Sequence, residues 1–477
     1  MQVIDYKSDS NHNGSTNFTK AMEIRKFTQS QHEFSDTDSD FYKNLHDLLM
    51  SGDYKDILCF IELMKEKILN NSLLYKNLID YNIPKLMASL IIKNENENTS
   101  SVLLNLAILL ITSYKNHDLI KEFVDENILE KLNLLILLDD ENFVEIISAI
   151  SILNENSIKA RNFFLQNLDF SIVYYRCSAE NVITSRYTYE FVTSFCKFAL
   201  ADKYCDIILD IFVNGIQSQH LYALDVIFEG ILQISFIQET FWYPIFMKKQ
   251  GEKQLVHYLQ LNDEFNEINI YLVKDVILRI IQRAVETGNN LSISILNAVL
   301  DYSLKIEQFL NLDKTEHFFI SSLETISNIL CIMIDESQMN QSFLEQECNK
   351  IIDILFMISM IGNFNSKNNA AKCLSALFLK GNDSNVNHLL QKKFIDYIVP
   401  LLDSDKSDFI LSHIISLIKI IEISISHNYI GHIVDNLHQS GFFDLTEFLL
   451  SHSDSLIQEK VSYLLQIIEK EQHFILK

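Results

Sequence analysis

The residue types that carry most enzyme chemistry show no catalytic spacing in this chain. The patterns GxGxxG, GxxxxGK[ST], HExxH and GxSxG do not occur, and 10 scattered glycines could not build a phosphate-binding loop. The 14 histidines do not cluster at ligand spacing. His413, inside an apolar helical stretch, is more typical of a core imidazole than of a metal ligand. We therefore predict no enzyme activity, no cofactor and no metal site.

The cysteines and the single tryptophan are predicted to be core residues. Trp242 lies in FWYPIF, a short helical stretch in which a large ring most often packs against neighbouring helices. The cysteines show no CxxC pair and lie mostly in apolar helical context, which predicts reduced core thiols. These cysteines are Cys59, Cys177, Cys196, Cys205, Cys331, Cys348 and Cys373.

Glu324 and Asn328 form a polar pair at helical spacing. They lie in ETISNIL, residues 324–330, one turn apart on the same face of a predicted helix. A carboxylate in this position could pair with a lysine of a bound partner. The alternative is that both side chains belong to an ordinary solvated face.

The segment 368–424 predicts the elements that would position such residues. Apolar residues at helical spacing mark a first helix that ends at Gly381 as a C-cap, and a short second segment follows. A third predicted helix covers 394–402, and a long helix comes next with Ser407 or Asp408 as its N-cap. The apolar stripe of that long helix consists of Ile410, Ile414, Leu417 and Ile421.

A short helix, a medium helix, a polar turn and a long helix together make an armadillo unit. Phe394 and Phe442 begin equivalent segments, FIDYIVPLL and FFDLTEFLL, and Ile83 and Ile128 begin another such pair roughly 45 residues apart. One unit cannot bury its apolar faces alone, so the units must stack. The predicted fold class is therefore all-α, a right-handed armadillo or HEAT-type α-α superhelical solenoid of about nine repeats.

The composition agrees with a long helical array. The chain has 477 residues and no linker rich in Pro, Gly or Ser, and its hydrophobic content of 48% excludes a disordered chain. We predict a disordered polar tail at 1–39, a solenoid at 40–472 and a C-terminal tail at 473–477. Apolar runs such as LLNLAILLIT at 103–112 are too short to span a bilayer, and the polar N-terminus is no signal peptide. We expect a monomer in the cytoplasm and nucleus, outside membranes.

The formal net charge of −24 restricts the class of partner. It opposes binding to nucleic acid and to anionic membranes, and it favours basic partners. The alternative is a solvated acidic surface that keeps a large helical protein in solution.

The string from Asn369 to Leu402 resembles the late repeats of the importin-α family. Like residues stand at Ala370, Ala371, Ser375, Gly381, Leu389, Ile395, Leu401 and Leu402. The last unit is similar to the terminal repeat of that family at Gly441, Asp444, Glu447, Leu449 and His452. This resemblance, to a divergent importin-α-like armadillo protein, implies a groove that binds basic cargo segments, with importin-β and an export receptor as further partners.

In that family, a tryptophan on each third helix packs against a lysine stem of the cargo. An asparagine one turn later holds the backbone of the bound peptide. By the resemblance, Asn328 is the retained asparagine and Glu324 occupies the tryptophan position. These two residues are the candidate peptide-binding site of the groove.

The chain departs from the family pattern elsewhere. Lys372 and Ala376 stand at the tryptophan and asparagine positions of the repeat just described, and Ala107 and Ile111 stand there in the first repeat. A lysine at the ring position would repel a basic peptide. MEIRK at 22–26 is similar to part of the importin-β-binding segment, but the surrounding tail lacks the dense basic residues of that segment.

Two functions follow from these observations. The first is an importin-α-like transport adaptor that carries proteins with basic nuclear localisation segments into the nucleus. The second is an armadillo scaffold that has lost signal recognition and binds other partner proteins. Similarity along the chain, the net charge and the lack of catalytic motifs make the adaptor the main prediction, and the missing tryptophan and asparagine ladder supports the scaffold as the alternative.

Overall fold

The regular elements of the protein are helices throughout the part of the chain that the structure describes. The structure is a computed structural model. It describes residues 38–69, 75–93, 97–114, 116–125, 128–138, 143–218, 220–239, 241–261, 268–310, 316–335, 341–427 and 429–475. The chain divides into two compact units, Met1–Phe195 (unit 1) and Cys196–Lys477 (unit 2).

Unit 1 consists of short and medium helices. Its helices are α1 (Asp38–Ser51), α2 (Tyr54–Leu69), α3 (Tyr75–Asp80), α4 (Ile83–Lys93), α5 (Glu97–Tyr114), α6 (His117–Asp125), α7 (Leu129–Leu138), α8 (Phe143–Asn156), α9 (Ile158–Asn167), α10 (Phe170–Cys177) and α11 (Val182–Phe195). The predicted tail at 1–39 lies outside the described residues, except for its last two positions, which begin α1.

Unit 2 contains longer helices and three 3-10 turns. Its α-helices are α12 (Asp202–Gln217), α13 (Leu224–Ile237), α14 (Trp242–Lys248), α15 (Gly251–Gln260), α16 (Ile268–Glu286), α17 (Ile293–Leu310), α18 (Glu316–Asp335), α19 (Gln341–Ile361), α20 (Phe364–Lys380), α21 (Asp383–Gln391), α22 (Ser407–Ser426), α23 (Ile430–Gln439), α24 (Phe442–Leu450) and α25 (Ser455–Ile475). The 3-10 turns are Leu221–Ala223, Phe394–Tyr397 and Val399–Leu402. α25 continues to Ile475, inside the predicted C-terminal tail.

In each unit the helices form successive layers, and the last helix of each layer contacts the last helix of the next layer. In unit 1 these helices are α2, α5, α8 and α11, and in unit 2 they are α13, α16, α18, α20, α22 and α25. We call them the third helices. The surface formed by the exposed and half-buried side chains of α18, α20 and α22 is called the third-helix face.

The predicted apolar stripe of α22 forms part of the core. Ile410, Ile414, Leu417 and Ile421 are all 0% exposed. α22 contacts α20 on one side and α25 on the other. Burying a side chain of this size stabilises the fold by about 1.5–3 kcal/mol, so the stripe fixes which face of α22 is turned inward.

The predicted medium helix at 394–402 is instead two successive 3-10 turns. Pro400 lies in the first turn of the second one. A proline lacks the backbone N–H that an α-helix needs, and its ring clashes with the carbonyl four residues earlier. The equivalent segment α24 has no proline and is a continuous α-helix. Pro400 therefore explains why two segments of similar pattern differ in structure.

The predicted end of α20 is confirmed, but the predicted start of α22 is wrong. Gly381 is the C-cap of α20, and its N–H donates to the carbonyl oxygen of Leu377 at 2.8 Å. α22 begins at Ser407, so its N-cap is Lys406, which caps no backbone N–H with its side chain. The lysine side chain is thereby left to lie on the surface of the stack.

One helix of the described residues, α22, is long and apolar enough to cross a membrane by length and composition. The expectation that every apolar run is too short therefore fails for this helix. Its buried stripe packs between α20 and α25, and core helices of soluble proteins meet the same length and composition criteria.

Candidate functional site

Polar side chains connect neighbouring third helices of unit 2. Ser322 of α18 donates through its hydroxyl to Asp275 of α16 at 3.1 Å. Tyr463 of α25 donates to Glu422 of α22 at 3.3 Å. The helices of the stack are thus connected by side-chain hydrogen bonds as well as by their apolar cores.

Glu324 and Asn328 lie on α18, and both side chains are half-buried. Glu324 accepts a hydrogen bond from Nδ2 of Asn363 at 2.6 Å and another from Nδ2 of Asn365 at 3.2 Å. Asn328 accepts a hydrogen bond from Nδ2 of Asn369. The structure therefore places both predicted residues on the same face, but it directs their acceptor oxygens to α20 of the next layer.

Asn363 explains how α20 is held in place against α18. Its Oδ1 accepts from the backbone N–H of Ser366 at 2.9 Å and so caps the first turn of α20. Its Nδ2 donates to Glu324. One amide group thus starts a helix and joins that helix to its neighbour. Asn363 and Asn365 were not predicted from the sequence, although the asparagine-rich string NFNSKNN at 363–369 was an available signal.

Two contacts join α20 to α22, and they lie one helical turn apart on each helix. The rings of Phe364 and Phe409 stack with 5.6 Å between centroids and 23° between planes. One turn later, Nε2 of His413 lies 2.8 Å from Oδ1 of Asn368. Since the amide oxygen only accepts, His413 must carry its proton on Nε2.

His413 is fully buried, and its second ring nitrogen, Nδ1, has no hydrogen-bond partner among the described residues. Burial, assisted by the charge of Lys372, lowers the pKa of His413 to about 4. The imidazole is therefore neutral at pH 7. It is a core residue as predicted, with one nitrogen paired instead of two.

A group of four side chains lies beside this pair, and we call it the cation–aromatic cluster. Its members are Phe364, Lys372, Lys406 and Phe409. Nζ of Lys406 lies 4.8 Å from the centroid of the Phe409 ring and 5.7 Å from that of Phe364. Nζ of Lys372 lies 5.7 Å from the Phe409 centroid. Lys372 therefore occupies the position that the family resemblance assigns to a cation-binding tryptophan, and its own cation lies near the Phe409 ring.

The other ladder positions are turned into the core. Ala107 and Ile111 of α5 are 0% and 1% exposed, and Ala376 of α20 is 8% exposed. Trp242 is 0% exposed and packs against Tyr243 and Phe246 with centroid distances of 5.2 and 6.0 Å. The prediction that Trp242 is a packing residue is confirmed, and these residues expose little or no surface.

The cysteines are free thiols, as predicted. Cys59 and Cys331 are half-buried and the other five are buried. Burial is the main reason that the pKa of Cys205 and that of Cys348 rise to about 11. These thiols are protonated at neutral pH, which makes them poor nucleophiles.

Within the described residues, no group of three His, Cys, Asp or Glu side chains could hold a metal ion. The MEIRK motif at 22–26 lies outside those residues.

Solved structures similar to this chain are armadillo-repeat proteins. β-catenin, studied for a phosphorylation switch that controls its interaction with cadherin, is 12% identical, with 80% of this chain and 68% of that chain covered and a TM-score of 0.53. A chain of the SYS-1/POP-1 complex is 11% identical, with 95% and 96% covered and a TM-score of 0.53. The chain has an armadillo-like all-α fold.

An engineered protein shares the same architecture, with 14% identity, 89% of this chain and 99% of that chain covered, and a TM-score of 0.62. No protein-family model matches the chain, and no curated protein sequence matches it. At such low identity these similarities show the fold alone. They support the armadillo part of the predicted resemblance and do not extend to importin-α.

Proposed function

We propose that this protein is an armadillo scaffold whose third-helix face binds an extended segment of a partner protein. One observation carries the proposal: the amide groups of Asn328, Asn365 and Asn369 lie at the surface of α18 and α20 and form hydrogen bonds across the layers. The face thus presents several amide groups held at defined positions.

An asparagine amide suits a peptide backbone because it offers both a donor and an acceptor. Packed helices lie about 8–10 Å apart, and an extended chain rises about 3.3 Å per residue. Each layer would therefore contact about three residues of a segment that crosses the third helices. Asn365 is exposed, whereas Asn328 and Asn369 are half-buried, so all three have surface for such contact.

The similar solved structures agree with a protein-binding role. β-catenin is described with cadherin as its binding partner, and SYS-1 was solved in complex with POP-1. By analogy, the partner of this protein would also be a protein. The kind of segment is inferred from the chemistry of the third-helix face, because fold similarity does not specify it.

The import adaptor is a second candidate function. Glu324 and Asn328 on one face and the formal net charge of −24 favour it, because basic cargo would need acidic and amide groups. It would carry cytoplasmic and nuclear localisation, with importin-β at the N-terminal tail and an export receptor at the last units. Lys372 and Lys406 on the third-helix face argue against it, since both would repel a basic segment.

Selection of random peptides on the full-length protein tests the scaffold proposal. Asn365→Trp places a large ring on the third-helix face while Glu324 keeps its bond to Asn363. Asn349→Trp makes the same change at an exposed position of α19, outside that face. We expect the first variant to weaken binding of the selected peptides by about tenfold, equivalent to about 1.4 kcal/mol, and the second to leave it unchanged. Equal affinity for both variants would place binding elsewhere and overturn the proposal.

A further inference from the structure

The cation–aromatic cluster is a charged and apolar patch on an otherwise acidic protein. Phe364 is 41% exposed, and Lys406 is exposed at the N-cap of α22. Met360 and Ile361, at the end of α19 just before Phe364, are 56% and 39% exposed. Exposed apolar side chains therefore lie at the end of α19 and the start of α20, and the ammonium group of Lys406 lies 5.7 Å from the Phe364 centroid.

The two lysines of the cluster contact rings, whereas some other lysines of unit 2 pair with carboxylates. Lys249 lies between two carboxylates, with Nζ 3.1 Å from Asp206 and 3.0 Å from Asp210. Lys350 pairs with Asp301 at 2.6 Å. Among the described residues, Lys372 and Lys406 have no carboxylate within ion-pair distance, although Asp405 and Asp408 flank Lys406 in the sequence.

The cluster brings two such lysines to the same ring, that of Phe409, at 5.7 and 4.8 Å from its centroid. The rings provide the alternative partner, because an ammonium group over an exposed ring gains only about 0.5–1 kcal/mol and keeps its full charge. Two cations thus remain available to an anionic ligand, near the exposed ring of Phe364.

We propose that the cation–aromatic cluster binds an acidic extended segment of the partner protein. Carboxylates of two alternate residues of the segment would pair with Lys372 and Lys406, and an apolar side chain at the next alternate position would pack on Phe364. Alternate residues of an extended chain lie on the same side, about 7 Å apart, so two acidic residues could face the cluster together. This inference rests on the proposed function and reverses the charge preference implied by the family resemblance.

Fluorescence anisotropy with the full-length protein tests the proposal. The probes are two labelled peptides of equal length: one has Glu at two alternate positions and Phe at the next alternate position, and the other has Lys in place of every Glu. The measurement is made at physiological ionic strength, where a Debye length of about 8 Å screens the distant negative charges of the protein. We expect the acidic peptide to bind and the basic peptide to bind at least about tenfold more weakly.

Variants then locate the interaction. Lys372→Glu combined with Lys406→Glu should weaken binding of the acidic peptide by about tenfold or more. Lys372→Met combined with Lys406→Met keeps most of each apolar stem and should also weaken it, which separates charge from packing. The matched control, Lys85→Glu with Lys248→Glu, makes the same change of charge at exposed positions on α4 and α14 and should leave the affinity within twofold.

The outcomes separate this inference from the function on which it rests. If the basic peptide binds better, or if the control weakens acidic binding as much as the cluster variant, the inference is wrong while a scaffold function stands. If neither peptide competes with the segments selected on the third-helix face, the inference is likewise wrong. If no segment of any kind binds that face, both proposals fail.

Discussion

The carboxylate of Glu324 accepts a 2.6 Å hydrogen bond from the amide of Asn363, and this contact joins α18 to α20. The family resemblance gives Glu324 the role of a groove residue that awaits a lysine. In the structure its charge is already bound by two asparagine amides. Glu324 therefore holds the stack together, and the residues available to a partner lie beside it.

Glu324→Ala should destabilise unit 2 without abolishing binding of a partner segment. The substitution leaves the half-buried amide of Asn363 and the exposed amide of Asn365 without their acceptor, which costs about 1–2 kcal/mol for a charge-assisted pair near the surface. Thermal unfolding should shift down by roughly 2–4 °C per kcal/mol. Glu447→Ala, at an exposed position of α24, is the matched control and should change the midpoint little. Equal shifts in the two variants would show that the contacts across α18 and α20 contribute nothing.

His413 should make the stability of unit 2 fall with acid before most carboxylates titrate. Its pKa is about 4 in the folded protein, against an ordinary value of 6.5, so the unfolded chain binds more protons between these values. The stability that neutral His413 contributes is fully present above about pH 6.5 and is lost as the pH falls toward 4. Between pH 7 and pH 5 the loss should be about 2 kcal/mol.

Urea unfolding at the two pH values measures this effect, with His413→Gln as the comparison. Glutamine keeps a donor for Asn368 and cannot titrate, so the variant should lose about 2 kcal/mol less stability between pH 7 and pH 5 than the parent. An identical pH dependence in both proteins would mean that His413 is protonated as easily in the fold as in the unfolded chain.

Two glycine substitutions should have opposite effects. A Cβ atom at Gly381 would lie 2.5 Å from the carbonyl oxygen of Leu377 and 3.2 Å from Cβ of Asn385, so Gly381→Ala must shift the end of α20. We expect a loss of about 1–3 kcal/mol. A Cβ at Gly431, in α23, meets nothing within 4 Å, so Gly431→Ala should stabilise the protein by about 0.5–1 kcal/mol. Chemical denaturation of both variants checks the sign, and a stabilised Gly381→Ala would contradict the close approach.

Trp242 should report the unfolding of unit 2 alone. It is the only tryptophan of the chain and is fully buried, so its fluorescence should be blue-shifted in the native protein and move to the red when unit 2 opens. Trp242→Ala should cost about 3–5 kcal/mol, since it empties a site between aromatic neighbours. Native emission already at the wavelength of a solvated indole would contradict its burial.

The periodic part of the fold could be predicted from the sequence, and the exceptions have identifiable causes. The end of α20 at Gly381 is confirmed and the stripe of α22 is buried as expected, because a C-cap glycine and apolar spacing are local signals. The segment at 394–402 departed from the pattern because the backbone effect of Pro400 outweighs apolar spacing. A local pattern could not give Lys406 as the N-cap, since serine and aspartate are the usual choices nearby.

The site was harder to predict than the helices. Asn328 and Glu324 were correctly placed on a third helix, but their partners lie on the next layer about 40 residues along the chain, where a single sequence gives no pairing. Phe364 and Lys406 were missed because an aromatic residue at a helix start and a lysine in a polar turn are ordinary in isolation. Phe364 and Lys406 come together only because α20 packs against α22 in a particular register.

The most direct test of the scaffold account is photo-crosslinking of a bound segment to the full-length protein, followed by mass spectrometry of the crosslinked residues. A selected peptide with a photoreactive residue at its centre should react with exposed positions of α18, α20 and α22, near Asn365 and Phe364. Crosslinks concentrated on α21, α23 or the part of α19 before its last turn, or spread over both units without preference, would contradict the assignment of the third-helix face as the binding surface.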